Sequence, residues 1–324
     1  MNKISVGIVG YGNVGKGAHK AVIASEDMDT FGIFTRRRPE SLVIIDDKTP
    51  VFSLDSAESL KDNIDVMILC GGSATDLPEQ GPVLAKNFNI VDSFDTHAKI
   101  PGYMEQVDSA AKATTAVISS GWDPGFFSML RLMSEAVLPS GDTYTFWGKG
   151  VSQGHSDAIR RIEGVEDAVQ YTIPIDSALE AVRRGERPGF TTRQKHLRQC
   201  YVVAGANADR AKIEETIKKM PNYFDEYDTI VDFVSSDELK LNHSKMPHGG
   251  FVLHSGKTGE NKHVIEYSLK LESNPEFTGS VMAAYARAAY RLSCEGQFGA
   301  KTVFDIPLTY ISPKKRSELI SKLL

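Results

Sequence analysis

Residues 4–15 read Ile4-Ser5-Val6-Gly7-Ile8-Val9-Gly10-Tyr11-Gly12-Asn13-Val14-Gly15, and this stretch decides the fold. An apolar run of strand type ends in Gly-x-Gly-x-x-Gly, after which Val14, Ala18, Ala21 and Val22 recur at helical spacing. Strand, glycine turn and helix in that order open a doubly wound nucleotide-binding sheet. Gly10 permits the tight turn, Gly12 lets backbone approach a pyrophosphate, and Gly15 lets the helix pack closely on the strand. The free N–H groups at the helix start, with their partial positive charge, face the phosphates.

About 20 residues further on, such folds place an acid against the adenosine ribose 2′-hydroxyl. This chain has Thr35-Arg36-Arg37-Arg38 there. A carboxylate would repel a 2′-phosphate, whereas a hydroxyl and guanidiniums bind one through charge-assisted, partly bidentate hydrogen bonds. These residues point to NADP rather than NAD.

Outward from this turn, the first 120 residues alternate strand and helix. Ligands of open α/β sheets sit beyond the carboxyl ends of the strands, so Gly71–Asp76, Asp92–His97 and Gly121–Gly125 are the further candidate tips. In the last of these, Asp123 reads as a helix N-cap with Pro124 at N1, or as a carboxylate at the nicotinamide end of the site. Asp95 reads as a turn residue or as a second such carboxylate. Acids on neighbouring tips would orient a cationic amine for hydride loss from its α-carbon.

A helix is expected over Phe126–Val137, with Phe126, Leu130, Met133 and Val137 on one face. Beyond it, strand-like stretches with few helices suggest an open, largely antiparallel sheet. A long helix with the stripe Val281, Tyr285, Ala288 and Leu292 follows, then a strand-like Val303–Leu308 and a terminal helix that return to the first domain. The expected fold is α/β: a Rossmann-type doubly wound dinucleotide-binding domain with a second α+β domain. The expected division is 1–120 plus 300–324 for the NADP-binding domain, and 121–299 for substrate binding and dimerisation. In the second domain Trp147 reads as core, and Gln153–Asp157 as a polar surface loop. Arg198 lies on a strand, where an inward Arg needs an anionic partner. His248 sits at a turn, and Asn274 precedes Pro275 at a helix start.

The chain has 324 residues, a net charge of −5, 41% hydrophobic and 24% charged residues. That length suggests two domains, and that charge argues against a general nucleic-acid or membrane role. The three cysteines have no paired spacing and the eight histidines form no HExxH. A reducing compartment and no structural metal are therefore expected. With no signal peptide or spanning run read at the N-terminus, the expectation is a cytoplasmic protein.

At this point the residues resemble the meso-diaminopimelate D-dehydrogenase family over nearly the whole chain. The resemblance is carried by VGYGNVG (9–15), GSATDLPEQ (72–80), SGWDPGFFS (120–128), TFWGKGVSQGHSDAIRRIEGV (145–165), AVQYT (168–172), RQCYVV (198–203), MPHGG (246–250) and KLESNPEFT (270–278). It implies NADP-dependent oxidative deamination of the D-centre of meso-2,6-diaminopimelate to L-2-amino-6-oxopimelate and ammonia, by a homodimer. It also implies that Asp95 and Asp123 bind the reacting centre, chiefly its amine, with Trp147, Gln153 and Gly154 as the nearby wall. Thr172, Arg198, His248 and Asn274 would hold the far L-centre. Gly10, Tyr11, Gly12, Asn13, Val14, Gly15, Thr35, Arg36, Arg37, Ser73, Ala74, Thr75, Pro124, Gly125 and Phe126 would line the NADP site.

One departure is visible. The segment from Arg38 to Lys48 is longer than the family pattern and adds apolar Leu42 to Ile45. Other readings fit less well. Sugar-type oxidoreductases carry Glu-Lys-Pro where this chain has Asp92-Ser93-Phe94-Asp95, and the His-His…Lys stretch of dihydrodipicolinate reductases is absent. A non-catalytic NADP sensor has no need of two tip acids and an Arg anchor.

Overall fold

The glycine turn stands between β1 (Ile4–Val9) and α1 (Asn13–Ile23) in a computed structural model that describes residues 3–324. Then follow β2 (Met28–Thr35), β3 (Val51–Ser53), β4 (Val66–Leu69), α2 (Leu77–Leu84), β5 (Ile90–Asp92), α3 (Ile100–Ala110), β6 (Thr115–Val117) and α4 (Phe126–Val137). Next come β7 (Gly141–Trp147), β8 (Gly150–Val151), α5 (Gln153–Arg160), β9 (Val165–Pro174), α6 (Asp176–Arg183), α7 (Thr192–Lys195) and β10 (His196–Ala204). After these lie α8 (Arg210–Lys218), β11 (Asp228–Phe233), α9 (Ser236–His243), β12 (His248–Thr258) and β13 (Asn261–Leu271). The chain closes with α10 (Asn274–Cys294), β14 (Gly299–Lys301), α11 (Leu308–Ile311) and α12 (Arg316–Leu323).

The chain divides into two units, Met1–Met129 with Pro275–Leu324 and Leu130–Asn274. The first holds a seven-stranded parallel sheet in the order β14-β6-β5-β4-β1-β2-β3. Its central strands are apolar on both faces because both are covered. Val6, Ile8, Val66 and Ile68 pack under Ala18 and Val22 of α1 and Met282, Tyr285 and Ala289 of α10. Val9, Met67, Leu69 and Phe34 pack under Leu77, Tyr103 and Val107 on the other side. The strand order reverses at β1, so the crevice at the carboxyl ends of β1 and β4 is where a nucleotide belongs.

The second boundary falls at 274/275 and not at the expected 299/300. Helix α10 belongs with the first unit, because its buried stripe covers β1 and its backbone meets that of α1 at glycines. A Cβ at Gly17 would lie within 3 Å of Pro275 and Glu276, and one at Gly279 within 3 Å of Gly17 and Ala18.

The second unit is largely antiparallel, as expected, with its strands divided between two sheets. It contains two sheets, β11-β10-β9-β8 and the antiparallel β13-β12-β7, and β10 pairs with β11 in parallel. Helices α5 to α9 intervene where few were expected. Three of their starts have side-chain caps: Thr191 accepts the Gln194 N–H at 3.3 Å, Asp209 that of Lys212 at 3.1 Å and Ser235 that of Glu238 at 3.1 Å. Gln153–Asp157 is the first part of α5 and not a loop.

Two smaller readings also change. In α4 the buried positions are Phe127, Leu130 and Ser134, while Met133 and Val137 are 42% and 73% exposed. The expected strand at Val303–Leu308 is a 3-10 turn over Val303–Asp305, because Thr302 and Asp305 form a reciprocal capping box. The edge strand lies just before it, as β14. Among the described residues no helix is long and apolar enough to cross a membrane.

A largely buried ion pair ties α10 to the turn that follows α1. Arg287 of α10, 4% exposed, donates to both Asp27 carboxylate oxygens at 2.6 and 2.8 Å and to the Ile311 carbonyl at 2.9 Å. These bonds hold the Asp27 carboxyl below its usual range. Arg287→Ala strands that carboxylate and is expected to lower unfolding free energy by about 3 kcal/mol, the low end for a broken buried pair, since Asp27 keeps some solvent. A group with a depressed folded pKa contributes above its unfolded value of about 3.9 and loses that contribution as pH falls through the folded pKa. Urea melts should therefore show the wild type losing its margin over Asp27→Asn below about pH 4; a margin that is constant with pH would contradict this pairing.

Candidate active site

The first unit presents its strand ends as a nucleotide edge. Around the glycine turn lies a cavity of about 560 Å³ lined by Gly10, Tyr11, Gly12, Thr35, Arg36, Arg37, Gly71, Gly72 and Asp76, among others. Gly10 has φ +85°, in the left-handed region that favours glycine. A Cβ at Gly12 would meet nothing within 4 Å, so space stands open in front of the start of α1. The first turn of α1 has no acid to compete for its N–H groups. These features fit a dinucleotide pyrophosphate.

Thr35 is buried, and its hydroxyl accepts the Arg37 N–H at 3.1 Å. The Arg37 guanidinium donates to the Tyr11 carbonyl at 3.4 Å, and the largely exposed Arg36 pairs with Asp76 at 2.5 Å. The tip is therefore cationic and bound to the turn it serves, which fits a 2′-phosphate. The long segment after Arg38 is tied down as well. The Tyr11 hydroxyl accepts the Ile45 N–H at 3.1 Å and meets His19 Nδ1 at 2.8 Å, while His19 Nε2 reaches Thr49 at 3.1 Å. Burial holds the His19 pKa below its usual value, against the pull of Asp46. Burial likewise pushes the thiol of Cys70, at the cavity wall, up to about 12, so it is protonated at neutral pH.

The two acids stand on neighbouring ends of the same sheet. Asp95 follows β5 and is exposed; its N–H donates to Ser73 Oγ at 2.8 Å, which joins its tip to Gly71–Asp76. Asp123 follows β6 and is half-buried. It is not the N-cap of α4, which begins at Phe126. Gly125 takes the position before the helix, its N–H donating to Ser128 Oγ at 3.1 Å. Pro124 precedes it and lies outside the helix.

The second unit gathers the other candidates. Trp147 ends β7; its N–H donates to His196 Nε2 at 2.9 Å and its ring stacks on His196. Burial lowers the His196 pKa to about 3, so the ring is a neutral acceptor. Gln153 and Gly154 open α5, with the Gln153 amide 2.8 Å from the Met246 sulfur. The Met246 carbonyl accepts the Asn274 N–H at 3.0 Å. His248 opens β12, and its ring lies against Gly150, which pairs in register with Thr172.

Arg198, on β10 opposite Thr172, is 6% exposed and donates to the Thr172 hydroxyl. Its guanidinium stacks over Tyr227 at 3.8 Å, while its Nε is buried without a partner. Among the described residues no carboxylate pairs with it, and burial works against its charge. A buried cation in that state is complementary to an anion from outside. Sequence reasoning missed His196, Tyr227 and the Tyr11–His19 link; each is a contact between residues distant in the chain, with no local motif.

A sequence profile described as the diaminopimelic acid dehydrogenase C-terminal domain matches residues 121–273. The meso-diaminopimelate D-dehydrogenase of Ureibacillus thermosphaericus is 61% identical, with 100% of both chains covered. The structure of the Corynebacterium glutamicum DAP dehydrogenase in complex with DAP matches with a TM-score of 0.93 at 46% identity over 100% of each chain. An engineered D-amino acid dehydrogenase bound to NADP+ matches with a TM-score of 0.87 at 44% identity over 100% of each chain.

Replacing both Arg36 and Arg37 by Ala should raise the KM for NADP at least tenfold and leave that for NAD nearly unchanged. Each lost charge-assisted hydrogen bond is worth about 1.5–3 kcal/mol. Equal losses for the two cofactors in steady-state assays would remove the 2′-phosphate role.

Proposed function

The chain belongs to the meso-diaminopimelate D-dehydrogenase family, and from that premise we propose which of its residues perform the NADP-dependent deamination. The reaction converts the D-centre of meso-2,6-diaminopimelate to the oxo acid, releasing ammonia. NADP, when bound, supplies the hydride acceptor. Residues 10–15 take its pyrophosphate and Thr35, Arg36 and Arg37 its 2′-phosphate. Ser73, Ala74 and Thr75 with Pro124, Gly125 and Phe126 line the remainder.

Asp95 and Asp123 hold the ammonium of the reacting centre. Two carboxylates attract the cation and turn its α-carbon toward the hydride acceptor. The ammonium sheds a proton, the α-hydride departs, water adds to the resulting substrate iminium, and ammonia leaves. Trp147, Gln153 and Gly154 wall the reacting centre, while Thr172, Arg198, His248 and Asn274 take the L-centre. Anchoring the far end selects the D-centre, because the two ends of the molecule differ only in handedness. Binding energy from the remote carboxylate thus orients the reacting carbon.

The observation that carries this assignment is Arg198, a buried guanidinium with a hydroxyl beside it and no protein carboxylate among the described residues. A place in diaminopimelate and lysine biosynthesis, a homodimeric state and a cytoplasmic location belong to the same proposal. So does a chain that takes no nucleic acid or membrane as partner.

Adding meso-diaminopimelate and NADP should raise the reduced-nicotinamide absorbance, whereas the L,L-isomer should give none. Signal from the L,L-isomer alone would overturn the D-centre reading. Asp123→Asn should cut kcat by about 10- to 150-fold, equivalent to 1.5–3 kcal/mol of charged hydrogen bonding, with little change in Tm. Near-wild-type turnover would return Asp123 to a turn residue.

A further inference from the structure

Asp92 is the last residue of β5 and its side chain is fully buried. Its Oδ1 accepts two backbone N–H groups, Phe94 at 2.9 Å and Ser119 at 2.9 Å. Its Oδ2 accepts the Tyr103 hydroxyl at 2.6 Å. Its own carbonyl accepts both the Ser120 N–H at 2.8 Å and the Ser120 hydroxyl at 2.9 Å. One residue therefore receives five donors from three segments.

The placement of those donors is informative. The β5–β6 register ends at Val91 opposite Val117, so past that point sheet pairing no longer holds the tips together. Asp92 carries the connection onward. On one side it fixes Phe94, directly before Asp95. On the other it fixes Ser119 and Ser120, which lead into Gly121–Asp123. Ser119 has φ +53°, a conformation that disfavours a residue with a side chain, and its N–H bond to Asp92 lies at that residue. Strain of this kind persists only where the surroundings over-determine it.

Tyr103 braces the other oxygen. Its ring stacks on Phe94 with centroids 4.2 Å apart, and a Cβ at Gly81 of α2 would collide with its hydroxyl. Neither glycine-turn residues nor arginines of the phosphate tip bond to Asp92. Among the described residues, the partners of its side chain all belong to the two acid tips or to this brace. Burial pushes its carboxyl pKa up, and the three hydrogen bonds oppose that shift.

We propose that Asp92 is a positioning residue for the dehydrogenase reaction, setting the spacing and aim of the strand tips that carry Asp95 and Asp123 without itself touching substrate or cofactor. The proposal rests on the reading that those two acids hold the reacting ammonium. Misplacement of a reacting group by about 1 Å can cost about a hundredfold in rate.

The test uses the full-length enzyme with Asp92→Ala, Asp92→Asn and Tyr103→Phe, read out as kcat, KM for meso-diaminopimelate, NADP Kd by fluorescence titration, and Tm. Asp92→Ala should lower kcat about a hundredfold with NADP Kd within threefold of wild type. Asp92→Asn should recover most of that loss, because an amide oxygen still accepts from Phe94 and Ser119. Tyr103→Phe should fall between, at about three- to tenfold. Unchanged kcat in Asp92→Ala would overturn the proposal, as would parallel loss of kcat and NADP affinity in all three variants. Should Asp92→Ala fail to fold, Tyr103→Phe decides on the same two criteria. Asp95→Asn and Asp123→Asn in the same series separate the two claims. If they lose turnover while the Asp92 and Tyr103 variants do not, the acids stand and the positioning role falls. If they keep turnover, both fall.

Discussion

A parallel sheet delivers the carboxyl end of every strand to one edge, and the chemistry of this enzyme depends on that constraint. Five of the loops that leave the edge, after its five neighbouring strands β6, β5, β4, β1 and β2, are the glycine turn, the arginine tip, Gly71–Asp76, Asp92–His97 and Gly121–Gly125. They are far apart in the chain, yet strand order sets them side by side. Side-chain bonds then tie one tip to the next: Arg37 to the Tyr11 carbonyl, Arg36 to Asp76, Ser73 to Asp95, and Asp92 to Ser119. Cations gather at the end of β2 and acids at the ends of β5 and β6, the places proposed for the 2′-phosphate and the substrate ammonium. The sheet supplies the order and these bonds supply the aim.

The second unit solves a different problem, that of holding a charged group out of water. Arg198 retains a hydroxyl, an aromatic face and an unpartnered Nε, which is a costly state for a buried cation. In the proposed function the diaminopimelate carboxylate relieves that cost at the moment of binding. His196, kept neutral by burial, accepts the Trp147 N–H and adds no competing charge.

How much of this was legible in the sequence follows from how local each signal is. The glycine turn, the arginine tip and α10 were readable because spacing within one segment encodes them. The long helix was nevertheless assigned to the wrong unit, since its partner α1 lies at the other end of the chain. The cap reading of Asp123 failed because the helix starts later than Asp-Pro suggests, and α5 was hidden by the glycine and polar residues of its first turn. Resemblance to a family supplied most of the second-unit residues; spacing alone did not. Asp92, Tyr227 and His196 were invisible as functional positions, because nothing local tells which polar side chain turns inward.

The central claim is that one substrate is held at both ends, by acids at its D-centre and by Arg198 at its distal carboxylate. D-lysine is the same skeleton without that carboxylate, so kcat/KM for meso-diaminopimelate and for D-lysine, in wild type and Arg198→Ala, isolates the contact. The account predicts that Arg198→Ala lowers kcat/KM for meso-diaminopimelate by about 10- to 150-fold, as for a lost charged hydrogen bond, and barely changes it for D-lysine. Equal losses for the two substrates would contradict it.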